Sequence, residues 1–191
     1  MSEECSFLLR RMEARDIAAV VSVDRAVFED PWPESAYVQE LYFNPNARYF
    51  VLSLNDPGQL SERRESRALR TKRLVGFVGM RVERDKGHIS TLAVRPEWRG
   101  RKFGELLLLR ALIQAMQDGA QTVTLEVRIS NSVAQSLYRK YGFQVASRLL
   151  GYYFNGEDAY LMRAGPFTDT YRDSLSCDWD ELSQALHIVI R

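Results

Sequence analysis

Thr122-Val123-Thr124-Leu125-Glu126-Val127 alternates polar and apolar side chains, the period of a strand with one buried face. A few residues on, Asn131 opens a helix that runs to Tyr141, and Gly142 stops it. Upstream, Phe103 to Asp118 is rich in Leu and Ala and ends at Gly119, which makes a second helix. Before that, Leu74 to Val82 and His88 to Val94 read as a hairpin around Asp85-Lys86-Gly87. A strand–helix–strand–helix segment therefore follows a hairpin, and that places the chain among mixed α/β proteins.

Working outward, Phe7 to Met12 reads as a strand and Arg15 to Phe28 as a helix with Ile17, Val20, Val21 and Val23 on one side. Pro31-Trp32-Pro33 breaks that helix, and Glu34 to Phe43 forms the next one, stopped by Asn44-Pro45. Tyr49 to Leu54 is a strand. Asn55 to Arg73 carries six Arg or Lys and three Asp or Glu with little apolar patterning, and a mobile basic loop is expected there. On the far side, Gln144 to Ser147 and Ala159 to Met162 form a hairpin across Asn155-Gly156. Trp179, Leu182, Leu186 and Ile190 recur at helical spacing, so a docking helix is expected between Asp178 and Ile190. The order is β-α-α-β-β-β-α-β-α-β-β plus a C-terminal helix.

The 191 residues amount to a single domain's length, 46% of them hydrophobic, which excludes disorder throughout. Lys plus Arg is 26 against 25 for Asp plus Glu, so no global charge points to nucleic acid or to a membrane surface. No apolar run reaches the ~20 residues of a membrane span, and the acidic start Met1-Ser2-Glu3-Glu4-Cys5 differs from a basic export signal; a cytoplasmic protein is expected. Cys5, Cys177, His88 and His187 show no metal-ligand spacing, so no metal is expected.

Three segments together resemble the GNAT superfamily of acetyl-CoA-dependent N-acetyltransferases. Ile89 to Leu107 is similar to its strand, turn and phosphate-binding loop, with Arg99-Gly100-Arg101-Lys102-Phe103-Gly104 in the place of Arg/Gln-x-x-Gly-x-Gly/Ala. A glycine-bearing loop that opens a helix presents free N–H groups and a positive dipole end to a pyrophosphate. Lys102 stands where the motif has its first glycine, at a cost of ~1 kcal/mol if the backbone there is left-handed. Leu125 to Phe143 resembles the pattern "LEVR-x-SN-x-x-A-x-x-LY-x-x-x-GF", and Gly151 to Met162 the "YY…EDA…M" hairpin of the RimI-type branch, which acetylates protein N-termini. Phe28 to Glu34, with its Pro-Trp, fits the same branch. The resemblance implies an α+β fold with a mixed, mostly antiparallel central sheet flanked by helices. It implies an acetyltransferase domain over 1–163, leaving the 55–73 insert and a 164–191 extension outside the pattern.

It also implies roles for particular residues. Acetyl-CoA would lie against the main chain of Leu92, Ala93 and Val94, where a strand bulge is implied, and against Arg99 to Glu105, including Phe103. Glu126 would be the general base and Tyr138 the acid that protonates the departing sulfur. From the residues alone, the favoured reading of Glu126 is a solvent-facing strand residue, and Tyr138 reads as a common packed aromatic. Asn131 is a helix cap by its chemistry and a cofactor contact by resemblance. Trp32, Tyr152 and Tyr153 would line the acceptor slot, the last two also reading as plain strand aromatics. The implied acceptor is a protein N-terminus, the N-terminal alanine of a small-subunit ribosomal protein in particular. A small-molecule or polyamine amine, or a CoA-binding adaptor without turnover, are the alternatives, and direct nucleic-acid binding is not expected.

Overall fold

The computed structural model describes residues 6–55 and 66–191. An eight-stranded sheet forms the middle layer, in the order β6-β7-β5-β4-β3-β2-β1-β8. Its strands are β1 (Phe7–Arg11), β2 (Ala47–Leu54), β3 (Leu74–Glu83), β4 (Lys86–Val94), β5 (Thr122–Arg128), β6 (Gln144–Leu149), β7 (Ala159–Ala164) and β8 (Ile188–Ile190). Only β4–β5 and β1–β8 pair in parallel; the other neighbours are antiparallel. The helices are α1 (Ile17–Val27), α2 (Glu34–Phe43), α3 (Arg67–Arg73), α4 (Phe103–Gln117), α5 (Ser132–Lys140) and α6 (Asp169–Ala185).

Each face of the sheet has its own core. Val20 and Val23 of α1 and Tyr37 of α2 pack with Tyr49, Val51 and Phe77 on one side. On the other, α4 buries Leu106, Leu107, Leu108 and Leu109 in succession, because it is sandwiched between the sheet and α6. A helix apolar all round must be covered all round. β3, enclosed on both faces, reads as a continuous apolar run with glycines for the same reason. Gly79 lies opposite Tyr49 in the register, and a Cβ there would sit 2.1 Å from the tyrosine ring.

Two stretches depart from the sequence expectations. The basic loop expected over 55–73 contains α3 at its end, while 56–65 fall outside the described residues. Apolar patterning misses α3 because polar contacts hold it. Ser66 caps it by accepting the Leu69 N–H, Arg70 donates to the Arg15 carbonyl at 2.8 Å, and Arg73 donates to the Leu54 carbonyl at 2.6 Å. The helix expected between Asp178 and Ile190 instead starts at Asp169, capped by Thr168, and ends at Ala185. His187 turns left-handed at φ 52°, and the β-branched Ile188-Val189-Ile190 then joins the sheet beside Phe7 to Leu9. At the opposite edge, β6 is mostly exposed, and its register slips between Val145 and Ser147.

One irregularity shapes the site. β4 pairs with β5 only from Lys86 to Ile89, opposite Thr122 to Leu125. Its register with β3 shifts so that Ser90 is the extra residue between Ile89 and Thr91, slightly upstream of the Thr91 to Val94 stretch where a bulge is implied. A bulge bends the strand that carries it. β4 thereafter follows β3, and β5 follows β7, so the two strands part in the middle of the sheet.

Gly79→Ala forces a methyl group into the Tyr49 ring. Urea unfolding should show it less stable by about 1–3 kcal/mol, the usual range for overpacking, and unchanged stability would mean that the ring moves aside freely.

Candidate active site

The parting of β4 and β5 leaves one edge of Ser90 to Val94 without a neighbouring strand among the described residues. The side chains on this stretch divide between the two cores: Ala93 belongs to the α1–α2 side, while Leu92 and Val94 pack on the α4 side. Whatever else Leu92, Ala93 and Val94 contact, they offer it through their main chain. The start of α4 rests on this strand, with Val94 and Leu92 side-chain carbons 3.8 and 4.0 Å from where a Gly104 Cβ would be.

The loop between β4 and α4 is shaped by its backbone. Gly100 has φ 74°, and Lys102 is left-handed at φ 63°, the conformation that favours glycine. The first bond of the helix is Leu106 N–H to the Lys102 carbonyl at 3.0 Å, and no side chain caps the turn. The amides of Phe103, Gly104 and Glu105 thus precede the helical ladder and point out of its positive end. Arg99 donates from Nε to the Val94 carbonyl at 3.3 Å, and the Arg101 guanidinium lies 4.9 Å from the Trp98 ring centre. Phe103 is buried against Phe7 and Trp98, which anchors the loop. The Glu105 side chain turns away to Lys140 and to the Tyr141 hydroxyl, which donates at 2.6 Å, so only its amide faces the loop. Uncapped amides, flanking cations and an open strand edge together suit an elongated ligand that carries phosphates.

Glu126 follows the last residue of β5 that pairs with β4. Strand alternation sends Val123, Leu125 and Val127 into the α4 core and Thr124, Glu126 and Arg128 to the other face. There Glu126 meets His88, with Nε2 to Oε2 at 3.4 Å, and His88 Nδ1 lies 3.1 Å from the Thr124 hydroxyl. Burial, assisted by the Arg81 guanidinium, pulls His88 down to about 4, so its ring is neutral at neutral pH. Burial also raises the Glu126 carboxyl above the usual range, against the opposing pull of Arg81. The contact therefore joins a carboxyl to a neutral imidazole.

Tyr138, on α5, is buried within the α4-side core, its ring 5.8 Å from that of Phe143. Burial and the nearby Tyr153 push its phenol up to about 12, so it carries its proton at any neutral pH. Glu126 thus leaves β5 on the side away from the α4 core, just past the last residue that pairs with β4, while Tyr138 belongs to that core. Asn131 caps α5 by accepting the Ala134 N–H at 3.1 Å.

The sequence-based acceptor residues sit on two loops. Trp32 lies between α1 and α2, its backbone N–H donating to the Asp24 carboxylate at 2.6 Å and its ring 5.6 Å from that of Tyr37. Asp24 is buried, and it also accepts the Tyr37 hydroxyl at 2.9 Å. Tyr152 is exposed between β6 and β7 and meets Tyr153 edge-on at 5.1 Å. His88, Arg81, Asp24 and Arg128 were not singled out as site residues from the sequence. The polar members of alternating strands hinted at His88 and Arg128, but their partners lie far along the chain. Among the described residues, no group of three or more His, Cys, Asp or Glu could hold a metal, and no helix is long and apolar enough to cross a membrane.

Residues 17–143 match the family model described as Acetyltransferase (GNAT) family. A Bacillus subtilis protein provisionally described as a [ribosomal protein bS18]-alanine N-acetyltransferase is 33% identical over 155 residues, which cover 81% of this chain and 92% of that protein. An N-alpha-acetyltransferase of Sulfurisphaera tokodaii is 33% identical over 162 residues, covering 83% and 92%. Among solved structures, the ribosomal-protein-S18-alanine N-acetyltransferase of Escherichia coli superimposes with a TM-score of 0.69 at 24% identity, covering 85% of this chain and 95% of that one.

The neutral His88 has a consequence for stability. Its folded value, about 4, lies below the ordinary imidazole value of 6.5. Between those values the unfolded chain takes up a proton that the folded one refuses, so stability present above pH 6.5 is lost as the pH falls towards 4. His88→Gln should flatten the fall in melting temperature over that window; equal slopes in the two proteins would show that the imidazole titrates freely.

Proposed function

Because the chain belongs to the acetyltransferase (GNAT) family, we propose that it acetylates the N-terminal α-amine of a protein, using acetyl-CoA. The observation that carries this reading is the gap between β4 and β5, with Glu126 on one face and Tyr138 on the other. In this reading the uncapped amides of Phe103, Gly104 and Glu105, with Arg99, Gly100, Arg101 and Lys102, hold the pyrophosphate. The open edge of Leu92 to Val94 receives the pantetheine arm and donates an N–H to the thioester oxygen; losing one such donor typically costs about 10²–10³ in rate. Asn131 adds a polar contact only so far as its capping duty leaves room.

The acceptor comes from the Glu126 face, between Trp32 and the Tyr152–Tyr153 pair. An α-amine has a pKa of about 7.7–8.0, so a modest base is enough to free its lone pair, whereas a lysine amine near 10.4 is almost wholly charged. Glu126 takes the amine proton, directly or through water, its basicity raised by burial. The nitrogen bonds to the carbonyl carbon and gives up its surplus proton to water, the carbon–sulfur bond breaks, the sulfur takes a proton from Tyr138, and exchange with water then strips Glu126 of its proton and restores that of Tyr138. No acyl-enzyme is needed. The relatives' descriptions favour the N-terminal alanine of a ribosomal protein as the acceptor.

Glu126→Gln and Tyr138→Phe each keep shape and remove one proton-transfer group. Each should lower kcat by about 10²–10⁴ and leave the KM for acetyl-CoA nearly constant. The Glu126→Gln loss should shrink at high pH, where the amine is already neutral, and the Tyr138→Phe loss should persist. A peptide with a free N-terminal alanine should outperform the same peptide with a blocked N-terminus and a free lysine. Wild-type rates in both variants would leave the two residues structural, and preference for the lysine would overturn the N-terminal assignment.

A further inference from the structure

Arg128, the last residue of β5, gathers more of the molecule than any role above requires. Nη1 donates to Glu157 at 2.8 Å and to the Asn155 side-chain carbonyl at 3.1 Å, both between β6 and β7. Nη2 donates to Asp30 at 3.2 Å, 98 residues away between α1 and α2, and lies 3.4 Å from Glu29. Its guanidinium carbon sits 3.8 Å from the centre of the Tyr153 ring. The Asn155 amide completes the bridge by donating to Glu29 at 3.0 Å, and Glu157 also accepts the Ser130 N–H at 3.0 Å. The two loops thus joined carry Trp32 on one side and Tyr152 and Tyr153 on the other.

We propose that Arg128 is a positioning residue that clamps the α1–α2 loop to the β6–β7 loop and so sets the width of the acceptor slot. This rests on the reading that the slot receives the acceptor. The guanidinium suits the task because its planar fork serves two carboxylates in different directions while one face stacks on an aromatic ring. A lysine ammonium has the charge without the fork or the stacking face. Without the clamp, two loops whose large apolar side chains Phe28, Leu150, Tyr152 and Phe154 are exposed rather than packed lose their common anchor, and an extended peptide must order them as it binds. None of the hydrogen bonds of this network reaches the phosphate loop between β4 and α4 among the described residues, so the clamp leaves the pyrophosphate end of acetyl-CoA alone.

Two measurements test this. Hydrogen exchange reads the clamp without any acceptor: in Arg128→Ala the amides of Tyr153 and Gly156, bonded within their loop, and of Phe28 and Trp32, bonded to Asp24, should exchange at least roughly tenfold faster, while those of β2 and β3 hold. Steady-state kinetics with the N-terminal alanine peptide read the consequence: the peptide KM should rise about tenfold, with kcat and the acetyl-CoA KM changing less than about twofold. Arg128→Lys should recover only part of either effect, and Glu157→Gln, which keeps the arginine, should shift both in the same direction by less. Unchanged exchange in the two loops, an acetyl-CoA KM that rises alongside the peptide KM, or full recovery by lysine would overturn the clamp. Should the wild-type protein ignore the peptide, the acceptor reading falls, and the exchange comparison still decides the clamp.

Discussion

The molecule is organised around two strands that stop pairing in the middle of a sheet. Backbone N–H and C=O groups there cannot go unpartnered without cost, and an interior strand normally spends all of them on its neighbours. Here β4 carries an extra residue at Ser90 and bends away from β5. The parting survives because both strands keep their other neighbours and because each face is plated by helices: α1 and α2 on one side, α4 and α6 on the other. A rigid wedge of backbone donors results, held open by packing rather than by the ligand that would fill it.

The two faces of that wedge differ in chemistry. On the α4 side the lining is hydrocarbon, and the Tyr138 phenol is pushed towards its neutral form by burial. On the α1–α2 side, Arg81, His88, Thr124 and Glu126 form a polar patch across three strands, partly withdrawn from water. Desolvation acts on both members of the carboxyl–imidazole contact in the direction of neutrality. A carboxyl whose proton affinity is raised in this way is a better proton acceptor than one on an open surface.

Much of this was legible in the sequence, where local physics decides. Glu34–Phe43 was bounded by Pro33 on one side and Asn44-Pro45 on the other, and its helix has those limits. Asn131 announced its helix through capping chemistry that acts over three residues. The order of strands and helices along the chain followed from alternation and helical period, and their layering around a central sheet from the family resemblance. What escaped was held by side chains meeting across long sequence separations. α3 lacks an apolar stripe and depends on arginines that reach the carbonyls of Arg15 and Leu54. β8 is three residues long and finds its place only because β1 is waiting for it. His88 and Arg128 stood in plain view as polar strand residues, but nothing local tells that one will face Glu126 and the other will reach Asp30.

The margins of the sheet bear on how the protein behaves in a crowd. A sheet of eight strands has two free edges, and a free edge is a template on which another chain can grow. One edge is closed by β8, which spans only Ile188–Ile190 and offers too short a ladder to recruit a partner. The other is β6, whose exposed Gln144, Ser147 and Arg148 and slipped register at Ala146 interrupt the regular spacing that an incoming strand would need. These are the devices by which β-rich proteins avoid edge-to-edge aggregation. The chain can therefore keep an unzipped seam at its centre while presenting no zipper at its rim.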